Sequence, residues 1–192
     1  MAGFDTYMDR LDMDFWRSLC LREGRRRTYR RGEYFARRGE TTRYMGYVMS
    51  GYFKYTVTDS DGNEHISGFS FAGTFVGDYL SATNRQPCMT HIVAVTDVEV
   101  LLCRCEVLSH ALGADGALHQ TLADSLFRQI YGWYLDMHRL SPKERYLALL
   151  RRCPEILQSV TLKEIASYLN ITPTYLSRIR REITFGGRQE KS

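Results

Sequence analysis

The sequence predicts an α+β fold in three parts. A β-patterned first half, an unbroken apolar 3–4 repeat through the middle and two capped short helices near the end predict it. The 192 residues suit one large domain, or a medium domain with a small one. With 44% hydrophobic and 25% charged residues, the composition is that of a globular chain and excludes a disordered or collagen-like one. No apolar run approaches the ~20 residues that span a bilayer, so no membrane association is expected. The mixed polar and acidic start, Met1 to Arg10, lacks the pattern of a signal peptide. The five cysteines, Cys20, Cys88, Cys103, Cys105 and Cys153, are odd in number and lack paired metal spacing, which fits a reducing, cytoplasmic setting.

From Tyr29 to about Arg104, short apolar runs rich in β-branched and aromatic residues are broken by frequent glycines. Phe53, Tyr55 and Val57 alternate with Lys54, Thr56 and Thr58, the period of a half-buried strand. Asp59-Ser60-Asp61-Gly62-Asn63 then reads as a hairpin turn, because Gly and Asn tolerate positive φ. Several such strands indicate a sandwich or barrel, and the first half is expected to be all-β.

Beyond Glu106 the period changes. Ala123, Leu126, Ile130, Trp133, Met137 and Leu140 are spaced by alternating threes and fours, an a/d seam on a long helix. Leu122, Phe127, Tyr131, Tyr134 and Leu135 fall on other sides. So much apolar surface suits two partners, the β half and a second copy of the helix, although one broad buried face in a monomer would also produce it. Gly132 in mid-helix costs about 1 kcal/mol relative to Ala, and close helix approach would be a reason to keep it. Ser141-Pro142-Lys143-Glu144 is a capping box with Pro at the first helical position, so the hinge is placed near Leu140. Pro154 ends the helix that follows.

Thr161-Leu162-Lys163-Glu164 is a second capping box, opening a short helix that ends at Asn170. Thr172-Pro173 restarts a helix, and the two describe a helix-turn-helix with small Ala166 at the crossing. Leu176, Ile179 and Ile183 line one face of the second helix. Thr174, Ser177, Arg178 and Arg181 line the other, with Arg180 on the flank. Residues 139–192 carry 11 basic and 5 acidic side chains, a net +6, whereas residues 1–138 carry 15 and 17, a net −2. A solvated helix normally mixes signs, so the basic face points to a polyanion. Arg178 can present its fork to guanine O6 and N7; Thr174 and Ser177 can reach base edges or a phosphate. Lys163, Arg180 and Arg181 suit phosphates, and Thr172, Pro173 and Tyr175 complete the candidate DNA-binding set.

The order of these parts resembles the cyclic-AMP receptor protein and fumarate-nitrate regulator (Crp/Fnr) superfamily of bacteria over residues 25–185. Tyr29-Arg30-Arg31-Gly32-Glu33 and Arg38-Gly39-Glu40 look like its opening strands, and Asp61-Gly62-Asn63-Glu64 like its central hairpin. Phe71-Ala72-Gly73-Thr74-Phe75-Val76-Gly77-Asp78 looks like the approach to its ligand pocket, and Leu162 to Arg181 like its reading module. The resemblance implies an N-terminal β-roll (double-stranded β-helix or jelly roll) as effector domain over 1–108, a long dimerisation helix and hinge over 109–140, and a helix-turn-helix DNA-binding domain over 141–192. It implies a homodimeric transcription regulator bound to double-stranded DNA, with RNA polymerase as a further candidate partner.

The sequence departs from the family's cyclic-nucleotide binders. Gly77 is kept, but Asp78 is one methylene short of the glutamate expected there, and the phosphate-clamping Arg-Ser or Arg-Thr pair falls on Cys88-Met89. Tyr79, Arg85 and Thr90 complete this degenerate pocket, with Arg85 and Thr90 the nearest substitutes for the clamp. Cyclic AMP is not expected as effector, and no cofactor is assigned. The iron-sulfur branch needs an N-terminal cysteine cluster, and only Cys20 lies there. Cys103 and Cys105 read as small buried hydrophobes rather than a redox pair. Pro173 and Thr174 stand where the cyclic-AMP receptor protein carries Arg and Glu, so its operator preference does not transfer. Any wing hairpin after Phe185-Gly186-Gly187 is expected to be truncated or lost.

A cupin-type enzyme would need near-adjacent metal-binding histidines. The histidines at 65, 91, 110, 119 and 138 are scattered, so no metal is assigned and no enzymatic activity is expected. The remaining alternative is a small-molecule sensor signalling through a protein partner. Nine arginines between Arg22 and Arg43 read as a solvated strand edge, with a flanking DNA or polymerase contact as the alternative.

Overall fold

A computed structural model describes residues 4–5 and 9–186, with the side chains of Phe185 and Gly186 left aside. The tail expected to lack a wing, from Gly187 onward, lies outside the described residues. The chain forms two compact units, residues 1–132 and 133–192.

The first unit begins with a helix that the reading of an all-β half passed over. In α1 (Met13–Glu23), Asp12 accepts from the Phe15 amide at 2.9 Å, and Trp16, Leu19 and Cys20 are buried at helical spacing. Eight strands follow: β1 (Arg25–Tyr29), β2 (Tyr34–Ala36), β3 (Tyr44–Ser50), β4 (Tyr52–Thr58), β5 (Glu64–Phe71), β6 (Phe75–Val76), β7 (His91–Ala94) and β8 (Val98–Arg104). They build two antiparallel four-stranded sheets, ordered β1-β8-β3-β6 and β2-β7-β4-β5. Val48, Phe53, Ile92, Val98, Val100 and Leu102 fill one core; Trp16, Leu19, Leu101, Cys103, Leu108 and Leu112 fill a second beneath the helices. A short helix α2 (Tyr79–Asn84) interrupts the strands, and α3 (Cys105–Ala114) leaves directly from β8.

The central hairpin forms as its sequence predicts. Gly62 has φ +85°, and the Asp59 carboxylate accepts from the amides of Asp61 (3.0 Å) and Asn63 (2.9 Å). His65 Nε2 lies 2.7 Å from Asp59, which holds that exposed carboxyl down to about 2. The alternation of β4 does not run its length. Tyr55 pairs with Gly68 but Thr56 with Ile66, so Ser67 is the extra residue of a bulge and Thr56, expected outward, is buried. The arginine-rich stretch lies on sheet edges, since β1 and β2 are both terminal strands. Arg26 pairs with Glu99 at 2.9 Å, and Arg27 and Arg37 lie over the rings of Tyr29 and Tyr34. Charge at such edges opposes further strand pairing.

The long helix α4 (Gly116–Arg139) is separated from α3 by Asp115, so the stretch 109–140 holds the end of one helix and the whole of another. The division between the two compact units falls within it, at Gly132/Trp133. The second unit continues with α5 (Pro142–Arg152), α6 (Ile156–Ser159), α7 (Leu162–Tyr168) and α8 (Pro173–Gly186). Both predicted capping boxes form, with Ser141 and Thr161 each accepting from the glutamate amide three residues on, which in turn reaches back. Tyr146, Leu149, Ile156, Ile165, Ala166, Leu176 and Ile179 are its core.

Gly51, between β3 and β4, has φ +73°, and a Cβ there would stand 2.3 Å from the Asp97 carbonyl oxygen. Gly51→Ala should therefore lower stability by about 2 kcal/mol or more, read as a fall in the urea midpoint with unchanged m-value.

Candidate nucleic-acid interface and effector pocket

The reading module is built from short-range signals. Ile165 and Ala166 seat α7 in the core of the second unit, and Asn170 takes φ +55° as the chain leaves it. The Thr172 hydroxyl accepts from the Tyr175 amide at 3.2 Å, and Pro173 opens α8. Arg145 stitches the unit together, donating to the carbonyls of Leu140 (2.9 Å) and Leu169 (3.2 Å). With Leu176 and Ile179 buried, Thr172, Pro173, Thr174, Ser177, Arg178 and Arg181 are exposed on α8 and its cap, Tyr175 and Arg180 are partly covered, and Lys163 is exposed on α7. The Ser177 hydroxyl donates to the Pro173 carbonyl at 3.0 Å, leaving its lone pairs to accept. Arg178 lies 4.8 Å above the Tyr175 ring and 3.6 Å from Glu182, which also approaches Lys143 at 3.9 Å. Tyr175 thus does more than complete the set: its ring lies beneath the Arg178 guanidinium.

The outward apolar stripe of α4 is rotated from the predicted seam. Phe127, Ile130, Tyr131, Tyr134, Leu135 and Met137 are exposed, with Phe127 and Tyr131 stacked at 5.5 Å. Of the six seam residues, Ile130 and Met137 belong to this stripe. Ala123, Leu126, Trp133 and Leu140 are partly covered, and the Trp133 ring meets Tyr168 edge-on at 6.1 Å beneath Arg152. The buried side of α4 carries Ser125 and Gln129. An evenly spaced a/d row thus runs along the border between the inner and outer faces. Gly132 lies about half a turn from the stripe, with nothing within 4 Å of an added Cβ, so close approach at the stripe does not account for it.

The pocket residues gather where β6 gives way to α2. Gly77 has φ +151°, and a Cβ there would meet Met45 Cγ at 2.8 Å. The Tyr55 hydroxyl accepts from the Gly77 amide at 3.2 Å, is 3.3 Å from the Gly77 carbonyl and lies 3.0 Å from Ser70 Oγ. Burial pushes the Tyr55 phenol up to about 12. Asp78 caps α2, one oxygen accepting from Ser81 at 2.9 Å and the other from Met89 at 3.1 Å. Tyr79 Oη lies 3.0 Å from His119 Nε2 on α4. Arg85 ends α2 with φ +55° and is exposed, Cys88 is buried with its thiol pushed up by that burial, Met89 is exposed and Thr90 is partly covered.

The sequence of residues 26–113 matches the cyclic nucleotide-binding domain family. Among solved structures, FixK2 of Bradyrhizobium japonicum is similar at 21% identity, with 85% of this chain covering 86% of that one and a TM-score of 0.69. The c-di-GMP-responsive global regulator CLP of Xanthomonas campestris shares 18% identity over 91% and 93% of the chains, with a TM-score of 0.66. The catabolite activator protein of Thermus thermophilus shares 23% identity over 88% and 83%, with a TM-score of 0.55. The chain shares the fold of these three proteins. No curated protein matches it by sequence. No helix among the described residues is long and apolar enough to cross a membrane.

Within this fold the sequence reading missed Tyr55, whose hydroxyl holds Gly77 from a strand 22 residues away. It missed Gln129 too, because a polar residue inside an apolar repeat reads as solvent-facing. All five cysteines are free buried thiols, and Cys103 shares its hydrogen bond with Cys20 of α1.

Because the folded Tyr55 phenol titrates above its ordinary value of 10, its contribution to stability is complete below that pH and is lost as pH rises through about 12. In an ultraviolet phenolate titration one late-titrating tyrosine should disappear in Tyr55→Phe, with a loss of about 1 kcal/mol from the missing hydrogen bonds.

Proposed function

We propose that the chain is a homodimeric, sequence-specific DNA-binding transcription regulator of the Crp/Fnr type, not an enzyme, whose pocket does not take cyclic AMP. The outward row Thr174, Ser177, Arg178 and Arg181 on α8, set against the buried Leu176 and Ile179, carries the reading. A helix of this kind fits a major groove, where Arg178 would face guanine while Arg181 and Lys163 take phosphates. Two copies joined along the exposed stripe of α4 would bring two such helices to sites one DNA turn, about 34 Å, apart. RNA polymerase is the partner through which such a dimer would act on transcription.

The geometry of the pocket supports the negative half of the proposal. A cyclic phosphate needs a cation and free amides, yet Cys88 and Met89 bring no charge, Arg85 points outward, and the Gly77 and Met89 amides are already spent. Calorimetry with cyclic AMP should show no binding at micromolar concentrations. Binding that is lost in Arg85→Ala would overturn this part.

Selection from a random duplex library, without added effector, should yield a near-palindromic consensus. Arg178→Ala should cost about 1–3 kcal/mol of operator affinity and relax one position in each half-site; Arg181→Ala should weaken all sequences alike and lower the salt slope by about 1. Sequence-blind binding by the unaltered chain would refute the reading. In sedimentation velocity, Tyr134→Glu should shift the chain to monomers with unchanged helix content and lose tight operator binding.

A further inference from the structure

Between β5 and α4 lies a short segment of the chain's own N-terminus. Phe4 is fully buried, its ring edge-on to Phe69 at 5.7 Å and to Phe71 at 5.3 Å, and Tyr52 tilts onto the same pair. Asp5 is 6% exposed, and its Oδ1 accepts from Gln129 Nε2 at 3.1 Å. The Asp5 charge also acts on Tyr55, the residue that holds Gly77. A ring and a carboxylate thus stand between the aromatic strand β5 and the buried face of α4.

Burying a carboxylate is costly unless a matched donor meets it, and burying an amide on a helix face is costly for the same reason. Asp5 and Gln129 answer each other across 124 residues. Neither is needed to fill the sheet core, which is packed by other residues. An aromatic slot, an amide at fixed distance and an acidic aromatic dipeptide seated in them are the parts of a ligand site.

We propose that Phe4 and Asp5 are an intramolecular ligand of the aromatic face that β4 and β5 turn away from the sheet core, bridging that face to the buried face of α4. The proposal rests on the regulator reading for its consequence, since α4 is the helix whose outer stripe is assigned to dimerisation. Tethered so close, the segment has an effective concentration in the millimolar range. It holds the site closed to weak free ligands, and its release is the event that would expose Phe69, Phe71 and Gln129.

The test uses the full chain carrying Phe4→Ala and Asp5→Ala, with a fluorescent peptide of residues 1–8 added in trans and followed by anisotropy. The doubly substituted chain should bind the peptide at least tenfold more tightly than the unaltered chain, whose site is filled. Peptides carrying Phe4→Ala or Asp5→Ala should bind at least tenfold more weakly. Equal binding by both chains, or none by the substituted one, overturns the proposal. Hydrogen exchange on the substituted chain should speed up in both β5 and the Ser125–Gly132 segment of α4; acceleration in neither, or in one alone, overturns it too. Neither measurement involves DNA, so a failure of the regulator reading would show separately, in the operator selection.

Discussion

Strand β8 is buried on both faces, and most of the first unit depends on that. Val98, Val100 and Leu102 point into the core between the sheets, while Leu101 and Cys103 point into the core beneath the helices. Such a strand cannot slip by one residue without changing which core each side chain enters. Its neighbours β1 and β3 inherit its register, and α1 docks so closely that a Cβ on Gly24 would stand 2.2 Å from the Leu102 carbonyl oxygen. Because α3 begins at the next residue, β8 also fixes where the helical half starts.

Much of this was legible, and what was legible was local. The capping boxes at Ser141 and Thr161, the Asp59–Asn63 turn and the four-residue link into α8 are each decided within a few residues, so sequence spacing suffices. The α8 faces follow from helical period once Leu176 and Ile179 are placed inward. What was not legible needed a partner distant in sequence. The Ser67 bulge that buries Thr56 is a property of two strands, and the rotation of the α4 stripe depends on which side Ser125 and Gln129 turn inward. A polar pair buried against another part of the chain leaves no signature in the periodicity of its own helix. The α1 helix was missed differently: Asp12 and the Trp16–Leu19–Cys20 spacing were present, but the run is short, and exposed Phe15 and Leu21 blur its apolar face.

The turn from β6 into α2 keeps its backbone form through its own hydrogen bonds. Gly77 keeps the backbone turn that a side chain would clash with, and Asp78 still caps the helix that follows. Its polar groups answer one another: Tyr55 the Gly77 amide, Asp78 the Met89 amide.

The carboxylate of Glu182 stands one turn beyond Arg178 and reaches toward Lys143 as well. On the proposed reading, every duplex the protein meets must draw Arg178 away from this resident counter-ion. The toll is the same on any sequence, whereas only a correctly placed guanine returns a bidentate contact. One acid among these cations therefore shortens the stay on random DNA more than on the operator, and sets how quickly a genome is searched rather than how tightly the target is finally held.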